Sequence, residues 1–337
     1  MRICLKIAKA ALLVLQVLVL AGWVWLYLES RTRPPAPAKP ETAMFEIVKG
    51  RSVRAIASEL KAKAVLRKSL PFILRYKFFY APQSLKAGEY QLPLGGSAGE
   101  VLDALIKGRV YLHPVTLAEG LTGKEIVADV VAAGFGRIEE FEAAFRETGD
   151  IAIWDPKAAD LEGYLFPETY HLPRGIAARD ILRKMTAQFK TVFGDAGRRR
   201  AAEIGLSVRA VVTLASLIEK ETALPDEKRL VSAVFHNRLR IGMKLDCDPT
   251  IIYALKRAGP FEGRLHTKDL KYDSPYNTYL YPGLPPGPIA NPGRESLEAA
   301  LNPADADFLY FVAKNDGGHQ FSRTFAEHRA AVNKYRR

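Results

Sequence analysis

The sequence predicts an α+β protein built from a single N-terminal transmembrane helix, a small α/β module and a larger mixed α+β domain. Three observations support this prediction: an apolar run near the N-terminus, a strand-turn-helix pattern that recurs after it, and a buried helix followed by loops rich in proline and glycine. The chain has 337 residues, of which 48% are hydrophobic and 26% are charged. This balance is typical of a folded protein with room for two domains.

The apolar run covers residues 7–28 and reads IAKAALLVLQVLVLAGWVWLYL. A helix of this length, rising about 1.5 Å per residue, can cross a bilayer core of about 30 Å. Basic residues precede the run and aromatic residues end it, as expected for a helix with a cytoplasmic N-terminus. We therefore expect a cytoplasmic segment at residues 1–6, a single-pass anchor in the cell inner (plasma) membrane at 7–28, and the rest of the chain in the periplasm or otherwise outside the cytoplasm.

A cleaved signal peptide is the alternative, because Ala36-Pro37-Ala38 resembles a small-residue cleavage site. We favour the uncleaved anchor, since that site lies well beyond the apolar run and is surrounded by prolines. Residues 29–44 then form a Pro-rich linker, and the phrase RTRPPAPAKP within it is typical of a stiff, extended spacer.

The charge of the chain identifies no partner by itself. The formal net charge of +12 would suit an anionic partner, but the lysines and arginines are spread along the whole sequence. There is no zinc-finger spacing, no RNP-like run and no helix with arginines along one face, so nucleic acid is not an expected partner. The six histidines show no metal-ligand spacing, and we expect no metal or other cofactor.

Residues 45–110 form the predicted small module. The phrase FEIVKGRSVRAIASEL alternates apolar residues, turns at Gly50 and offers Ser52 as a helix cap. AGEYQLPLGGSAGEVLDALIKG then gives another strand, a glycine pair and a capping box from Ser97 to Glu100. Such units resemble one another through backbone physics alone, which is one interpretation. The other is a glycan-binding module, because short strand-helix units with this opening resemble LysM modules.

Residues 111–337 form the predicted larger domain. VTLAEGLTGKEIVADV repeats the first strand-turn-helix phrase, with Thr122 and Glu125 as a capping box. Helices should follow, interrupted by LEGYLFPETYHLP at residues 161–173. The aromatic residues of this loop more often fill a core than form a sugar platform, although both interpretations remain open.

The segment LASLIEKETALPDEKRL, residues 214–230, places charges at the end of an apolar helix. Ser207 can cap this helix, which is apolar on nearly every face and therefore buried. Glu219 and Glu221 come at its C-terminal end, where the helix dipole and burial both favour the neutral form of a carboxyl. A neutral carboxylic acid is the general acid that glycosidic cleavage needs.

A structural role for these carboxyls is the alternative, in which Lys220 and a downstream arginine pair with them. Periodicity does not choose between the two glutamates. Glu221 lies over Leu217 and Leu214, whereas Glu219 lies over the smaller side chains of Ala215 and Val212, a face with more room for a ligand.

The loops that follow favour a binding site. A second helix is predicted over residues 231–245, ending at Gly242, and after it come LDCDPT, SPYNTY and GLPPGPI. Loops with so many prolines and glycines beside polar side chains are rigid, which suits a site that holds a ligand.

At these residues the chain resembles the endolytic murein transglycosylases of the YceG/MltG-like family. The matching phrases are LEGYLFPETY, IEKETAL, FHNRLRIGMKLDCDPTIIYAL, SPYNTYLYPGLPPGPIANPG and AALNPADADFLYFVAKNDGGHQFSRTFAEH. With the anchor and the LysM-like module they cover nearly the whole chain. Two positions depart from the pattern: Ala254 stands where many relatives have glycine, and Cys247 where they usually have threonine or serine.

The resemblance implies a membrane-anchored lyase that cuts peptidoglycan glycan strands internally and leaves 1,6-anhydro-N-acetylmuramic acid ends, ending the elongation of nascent strands. It also implies that Glu219, which opens the E-K-E-T phrase, is the catalytic acid. No second carboxylate is required, because the C6 hydroxyl of the muramic acid attacks C1 itself. The candidates for holding the sugar substituents are Asn237, Asp248, Tyr276, Asn277 and Tyr279.

Two other classes of function remain as alternatives. A non-catalytic, membrane-anchored peptidoglycan-binding scaffold would explain the anchor and the LysM-like module but not a carboxyl at a buried helix end. A peptidase or amidase would need a nucleophile with a partnered histidine, or a zinc site, and the sequence shows neither. An enzyme that clips nascent strands would work beside the peptidoglycan synthases, which makes them candidate partners.

Overall fold

The computed structural model describes residues 2–31 and 41–335. The chain divides into two compact units: residues 1–113 with 171–175, and residues 114–170 with 176–337. Both units contain helices and strands, so the fold is mixed α+β, as predicted. The division after residue 113 lies close to the predicted domain boundary after residue 110, and the roles assigned to the two domains stay predictions.

The bounds of the regular elements are as follows. The helices are α1 (Arg2–Arg31), α2 (Val53–Ala62), α3 (Ser69–Arg75), α4 (Ala98–Lys107), α5 (Gly123–Ala132), α6 (Ile138–Phe145), α7 (Ala178–Glu203), α8 (Val208–Glu221), α9 (Pro225–Arg240), α10 (Asp248–Ala258), α11 (Arg294–Leu301) and α12 (Phe325–Tyr335). The strands are β1 (Thr42–Ile47), β2 (Gly88–Pro93), β3 (His113–Thr116), β4 (Thr169–Leu172), β5 (Tyr310–Ala313) and β6 (His319–Ser322), paired as β1-β2, β3-β4 and β5-β6.

The first unit packs α2, α3 and α4 on the antiparallel β1-β2 pair. Phe45 lies opposite Tyr90 in this pair, and both side chains are fully buried in its core. The hydroxyl oxygens of Ser52 and Ser97 accept hydrogen bonds from backbone N–H groups in the first turns of α2 and α4. The strands and caps predicted for residues 45–110 are therefore confirmed. Whether the module binds glycan stays a prediction.

The N-terminal helix α1 contains the predicted anchor. Its apolar side chains are exposed, and Trp23 packs on Phe78 and Phe79 with ring centroids 5.0 and 5.4 Å apart. Within the described ranges, no single helix has the length and apolarity to cross a membrane; the apolar part of α1, from Lys9 to Trp25, is too short, and α7 and α8 qualify only as a pair bent by 99°. Residues 32–40 of the predicted linker lie outside the described residues.

Helix α8 lies at the centre of the second unit. Ser207 caps it through the backbone N–H of Ala210, and all residues from 211 to 218 are buried, so the predicted buried helix is confirmed. Helix α9 begins at Pro225, six residues before the predicted start at residue 231. The earlier start follows from proline at its first position, which has helical φ, and from two acidic residues in the first turn, which favour the helix dipole.

The aromatic loop at residues 161–173 packs into this core. Gly163 has φ +85°, and a Cβ there would lie 2.5 Å from Pro288 and 2.8 Å from Val212, so only glycine lets the loop approach α8. Tyr164 is fully buried and donates a 2.7 Å hydrogen bond to Asp155. The interpretation of this loop as core filling is confirmed.

Candidate active site

Glu219 lies at the end of α8 in an ion pair. Its carboxylate oxygens are 3.5 and 3.4 Å from Nζ of Lys228, which comes from α9, and Oε2 accepts a 3.0 Å hydrogen bond from the backbone N–H of Gly293. The side chains of Glu219 and Lys228 are only 8% and 4% exposed. One cation and one backbone N–H donor therefore hold the Glu219 side chain in place.

Two further carboxylates lie beside the same lysine. Glu119 and Glu295 approach Nζ of Lys228 to 3.9 and 3.7 Å, and about half of each side chain is exposed. Burial, and then the negative charge of Glu219, raise the pKa of Glu119. A Cβ at Gly293 would overlap the Glu119 carboxyl, so glycine is needed for this close approach. Three carboxylates thus surround one buried ammonium group.

Glu221 occupies a different environment on the same helix end. Burial raises its pKa to about 7, and the negative charge of Asp248 acts in the same direction. A hydrogen bond with the Cys247 thiol and the charges of His319 and Arg238 oppose the rise. The residue is partly exposed, so this carboxyl is desolvated but not sealed from solvent. It can hold a proton near neutral pH and release it.

Two of the charged groups that act on Glu221, Asp248 and His319, come from the starts of α10 and β6. The hydroxyl of Tyr279 donates a 2.6 Å hydrogen bond to Asp248, at the start of α10. His319, at the start of β6, is held by Glu227 through its backbone N–H at 2.8 Å and through Nδ1 at 2.7 Å. The structure thus brings two predicted site residues, Asp248 and Tyr279, together beside the second glutamate of the E-K-E-T phrase.

The other predicted substrate-binding residues have structural partners. Asn277 is fully buried, with its amide donating to two backbone carbonyls and its oxygen accepting from the N–H of Tyr279. Asn237 donates to the carbonyls of residues 306 and 308. Tyr276 packs on Tyr253, with ring centroids 5.0 Å apart. These contacts hold loops; a contact of Asn237, Tyr276 or Asn277 with substrate stays a prediction.

Sequence reasoning missed the residues that differentiate the two glutamates. Lys228 and Glu227 lie in the first turns of α9 and reach Glu219 and His319 respectively. The phrase ALPDEKRL offered a signal, since a lysine shortly after the helix end could fold back onto it. The structural alternative paired the glutamates with Lys220 and a downstream arginine, whereas Lys220 donates to the carbonyl of Gly120 at 3.0 Å.

A third buried carboxyl supports the loop that carries Gly293. Glu162 accepts hydrogen bonds from the N–H of Gly123 at 2.9 Å and from the amide of Asn291 at 3.1 Å. Burial raises its pKa to about 7. Asn291 in turn donates to the carbonyl of Leu121.

Among the residues the structure describes, no group of three His, Cys, Asp or Glu side chains is arranged to hold a metal ion.

Each comparison with known proteins finds either a YceG-like protein or an endolytic murein transglycosylase. The model of the YceG-like family matches residues 45–334. The chain is 34% identical to the endolytic murein transglycosylase of Bacillus subtilis (strain 168) over 94% of this chain and 91% of that protein. It is 29% identical to the endolytic murein transglycosylase of Streptococcus pneumoniae (serotype 2, strain D39), over 79% of this chain and 53% of that protein. The crystal structure of a YceG-like protein from Listeria monocytogenes matches with a TM-score of 0.58 and 30% identity, over 87% of this chain and all of that one.

Proposed function

Because the chain belongs to the YceG-like family, we propose that it is an endolytic murein transglycosylase, a lyase that cuts peptidoglycan glycan strands internally. The bond cleaved is the β-1,4 bond between N-acetylmuramic acid and N-acetylglucosamine. The single observation that carries the proposal is the desolvated, partly exposed carboxyl at the C-terminal end of the buried helix α8.

One carboxyl can serve both halves of this reaction. As an acid it protonates the glycosidic oxygen that leaves, and as the resulting carboxylate it accepts the proton of the muramic acid C6 hydroxyl. That hydroxyl oxygen then bonds to C1 and closes a 1,6-anhydro ring. Water is not consumed, so the second carboxylate that hydrolases use to activate it is not needed.

We infer that Glu221 is this acid. An acid that works near neutral pH needs a pKa near 7, which burial gives to Glu221. Glu219 is instead engaged by the Lys228 ammonium and the Gly293 N–H. The family resemblance points to Glu219, and that assignment is the alternative. In our proposal Glu219 holds Lys228 and the Gly293 loop in place.

Asp248 and Tyr279 complete the proposed reaction centre. The Asp248 carboxylate raises the proton affinity of Glu221 and stabilises the positive charge that develops on the sugar ring. Tyr279 orients Asp248 through its 2.6 Å hydrogen bond. Tyr276, Asn237 and Asn277 would then shape the loops that hold the sugar substituents.

The proposal includes an anchor and an extracytoplasmic reaction. Helix α1 exposes Leu13, Leu18 and Leu20 to 63%, 63% and 65%, and such apolar surface is favourable only in apolar surroundings. We propose that residues 7–28 span the inner (plasma) membrane once, that the linker between α1 and β1 is a spacer, and that the catalytic domain acts outside the cytoplasm. The predicted linker bounds, 29–44, are too wide, because α1 extends to Arg31 and β1 begins at Thr42. Residues 45–110 would bind glycan as a LysM-like module.

The position at the membrane suggests which strands are cut. A membrane-anchored lyase meets glycan strands where synthases release them, so cleavage would end the elongation of nascent strands. Peptidoglycan synthases are therefore proposed partners.

Product analysis tests the proposal. The full-length chain, purified in detergent, is incubated with purified peptidoglycan and the products are analysed by mass spectrometry. Internal fragments with anhydro ends are expected. Reducing ends would identify a hydrolase, and binding without products would leave the scaffold alternative.

A further inference from the structure

A cavity of about 820 Å³ lies in the second unit, beside the C-terminal end of α10 and away from Asp248 at its N-terminal end. Four basic side chains, three carboxylates and three aromatic rings line it: Lys124, Arg146, Lys256 and Arg257; Glu125, Asp160 and Glu162; Phe145, Tyr253 and Phe261. Arg257 follows Asp248 by nine positions on α10, which places their backbones about 14 Å apart along the helix at 1.5 Å per residue. The cavity is therefore distinct from the proposed reaction centre but within reach of a substrate bound there.

The cationic groups of the cavity outnumber their partners. Lys256 pairs with Glu125 at 3.0 Å. Lys124 and Arg146 are exposed, and the described part of the chain offers neither of them an ion pair. Two exposed cations that line a cavity and have no ion pair among the described residues attract an anion.

Arg257 adds a third cation that is already positioned. Its guanidinium lies 5.7 and 5.6 Å from the ring centroids of Tyr253 and Tyr276 and donates a 3.2 Å hydrogen bond to the Tyr253 hydroxyl. A guanidinium held between aromatic rings keeps free N–H groups that match the two oxygens of a carboxylate.

The remaining wall is apolar except for Asp160, whose carboxylate accepts a 3.0 Å hydrogen bond from the N–H of Glu162 and whose charge acts on Arg257. Phe145, Phe261, Ala128 and Ala159 line the cavity and present no charge. On its inner side, Glu162 has both oxygens occupied by hydrogen bonds from Gly123, Asn291 and Tyr253. The cavity thus combines carboxylate-binding cations with a surface for methyl and methylene groups.

We propose that this cavity binds the stem peptide that the muramic acid of the glycan strand carries, with Lys124, Arg146 and Arg257 receiving its carboxylates. A stem peptide combines carboxylates with alanine methyl groups, and the volume of about 820 Å³ accommodates several residues. The inference rests on the proposed function, because it assigns the substrate class of the same reaction: strands that still bear peptides.

Binding to a variant that is expected not to turn over the substrate, and that is first checked for the absence of products, tests this inference. Full-length Glu221→Gln protein in detergent is titrated with soluble glycan strands, either with stem peptides intact or after their removal by an amidase, all free of lipid carrier. The protein should bind peptide-bearing strands about tenfold more tightly, as expected for two or three partly exposed charge contacts. Adding Lys124→Ala and Arg146→Ala should remove most of that preference, whereas Arg329→Ala on α12, an equally exposed arginine, should keep it.

Several results would overturn the inference. They are equal affinity of the starting protein for both strands, a preference that survives the double substitution, or an equal loss of affinity for both strands. Cleavage by the unsubstituted chain is measured separately, so a lack of products would count against the proposed function without affecting the binding comparison.

Discussion

Substituting the two glutamates at the end of α8 one at a time should separate catalysis from stability. Glu221→Gln keeps the size of the side chain and an oxygen for the Cys247 thiol but cannot donate the proton to the leaving oxygen. We expect product formation to fall by at least about 10²-fold, the low end of what a positioned general acid contributes. Glu219→Gln should keep activity within about tenfold.

The two substitutions should change the stability of the fold in opposite directions. In the folded state the pKa of Glu221 rises from the ordinary 4.5 to about 7, so the wild-type chain becomes less stable as pH rises between those values. Each pH unit in that window costs about 1.36 kcal/mol, or about 3 kcal/mol in all. Glu221→Gln carries no such cost. It should therefore be more stable than the wild type by about 2 to 3 kcal/mol at pH 8 and nearly equal to it at pH 4.

Glu219→Gln should lower stability. Breaking a buried ion pair costs about 3 to 5 kcal/mol, because the remaining charge is left buried. Here Glu119 and Glu295, at 3.9 and 3.7 Å from Lys228, remain as partners, so we expect a loss of about 1 to 3 kcal/mol. At about 2 to 4 °C per kcal/mol, this is a fall in the melting temperature of about 2 to 12 °C.

The assays are thermal unfolding at pH 4 and pH 8, and mass spectrometry of the products released from peptidoglycan. Glu162, whose pKa is also about 7, titrates in every variant, so its contribution cancels in the differences. An inactive Glu219→Gln protein with an unchanged melting temperature, beside an active Glu221→Gln protein, would refute the reasoning and return the acid to Glu219.

Three further substitutions test the surroundings of the acid. Cys247→Ser replaces a weak S–H donor with a stronger O–H donor to the Glu221 carboxylate, so the alkaline limb of the kcat/KM against pH profile should move to lower pH. Tyr279→Phe removes the 2.6 Å bond to Asp248 and should lower kcat about tenfold with a change in melting temperature of less than about 3 °C. Asn277→Ala leaves buried carbonyls and an N–H unpaired and should cost about 3 kcal/mol in urea unfolding, since each unsatisfied group costs about 1 to 3 kcal/mol.

Features that depend on neighbouring residues were predictable from the sequence. The caps at Ser52, Ser97 and Ser207 and the capping box of Thr122 with Glu125 all form as predicted. Each is a contact between residues three apart, which the local sequence determines. The burial of α8 was predictable for the same reason, because its apolar residues cover every face.

The roles of the loop residues were not predictable in this way. Asn277 and Tyr279 sit two positions apart in one polar phrase, yet one is fully buried with its amide on backbone carbonyls and the other faces Asp248. A polar residue in a proline-rich loop can hold the loop or face a ligand. Which of these it does depends on where the loop packs, and that is set by distant segments such as the start of α10.

The choice between Glu219 and Glu221 is a three-dimensional property of the same kind. Successive helical residues turn by about 100°, so residues two apart point to nearly opposite sides of the helix. On one side, the start of α9 brings Lys228 to Glu219; on the other, the start of α10 brings Cys247 and Asp248 to Glu221. Burial raises the pKa of Glu221, and the negative charge of Asp248 adds to that rise. The phrase E-K-E-T indicates only that two carboxyls end a buried helix, whereas the packing of α9 and α10 gives these carboxyls different partners.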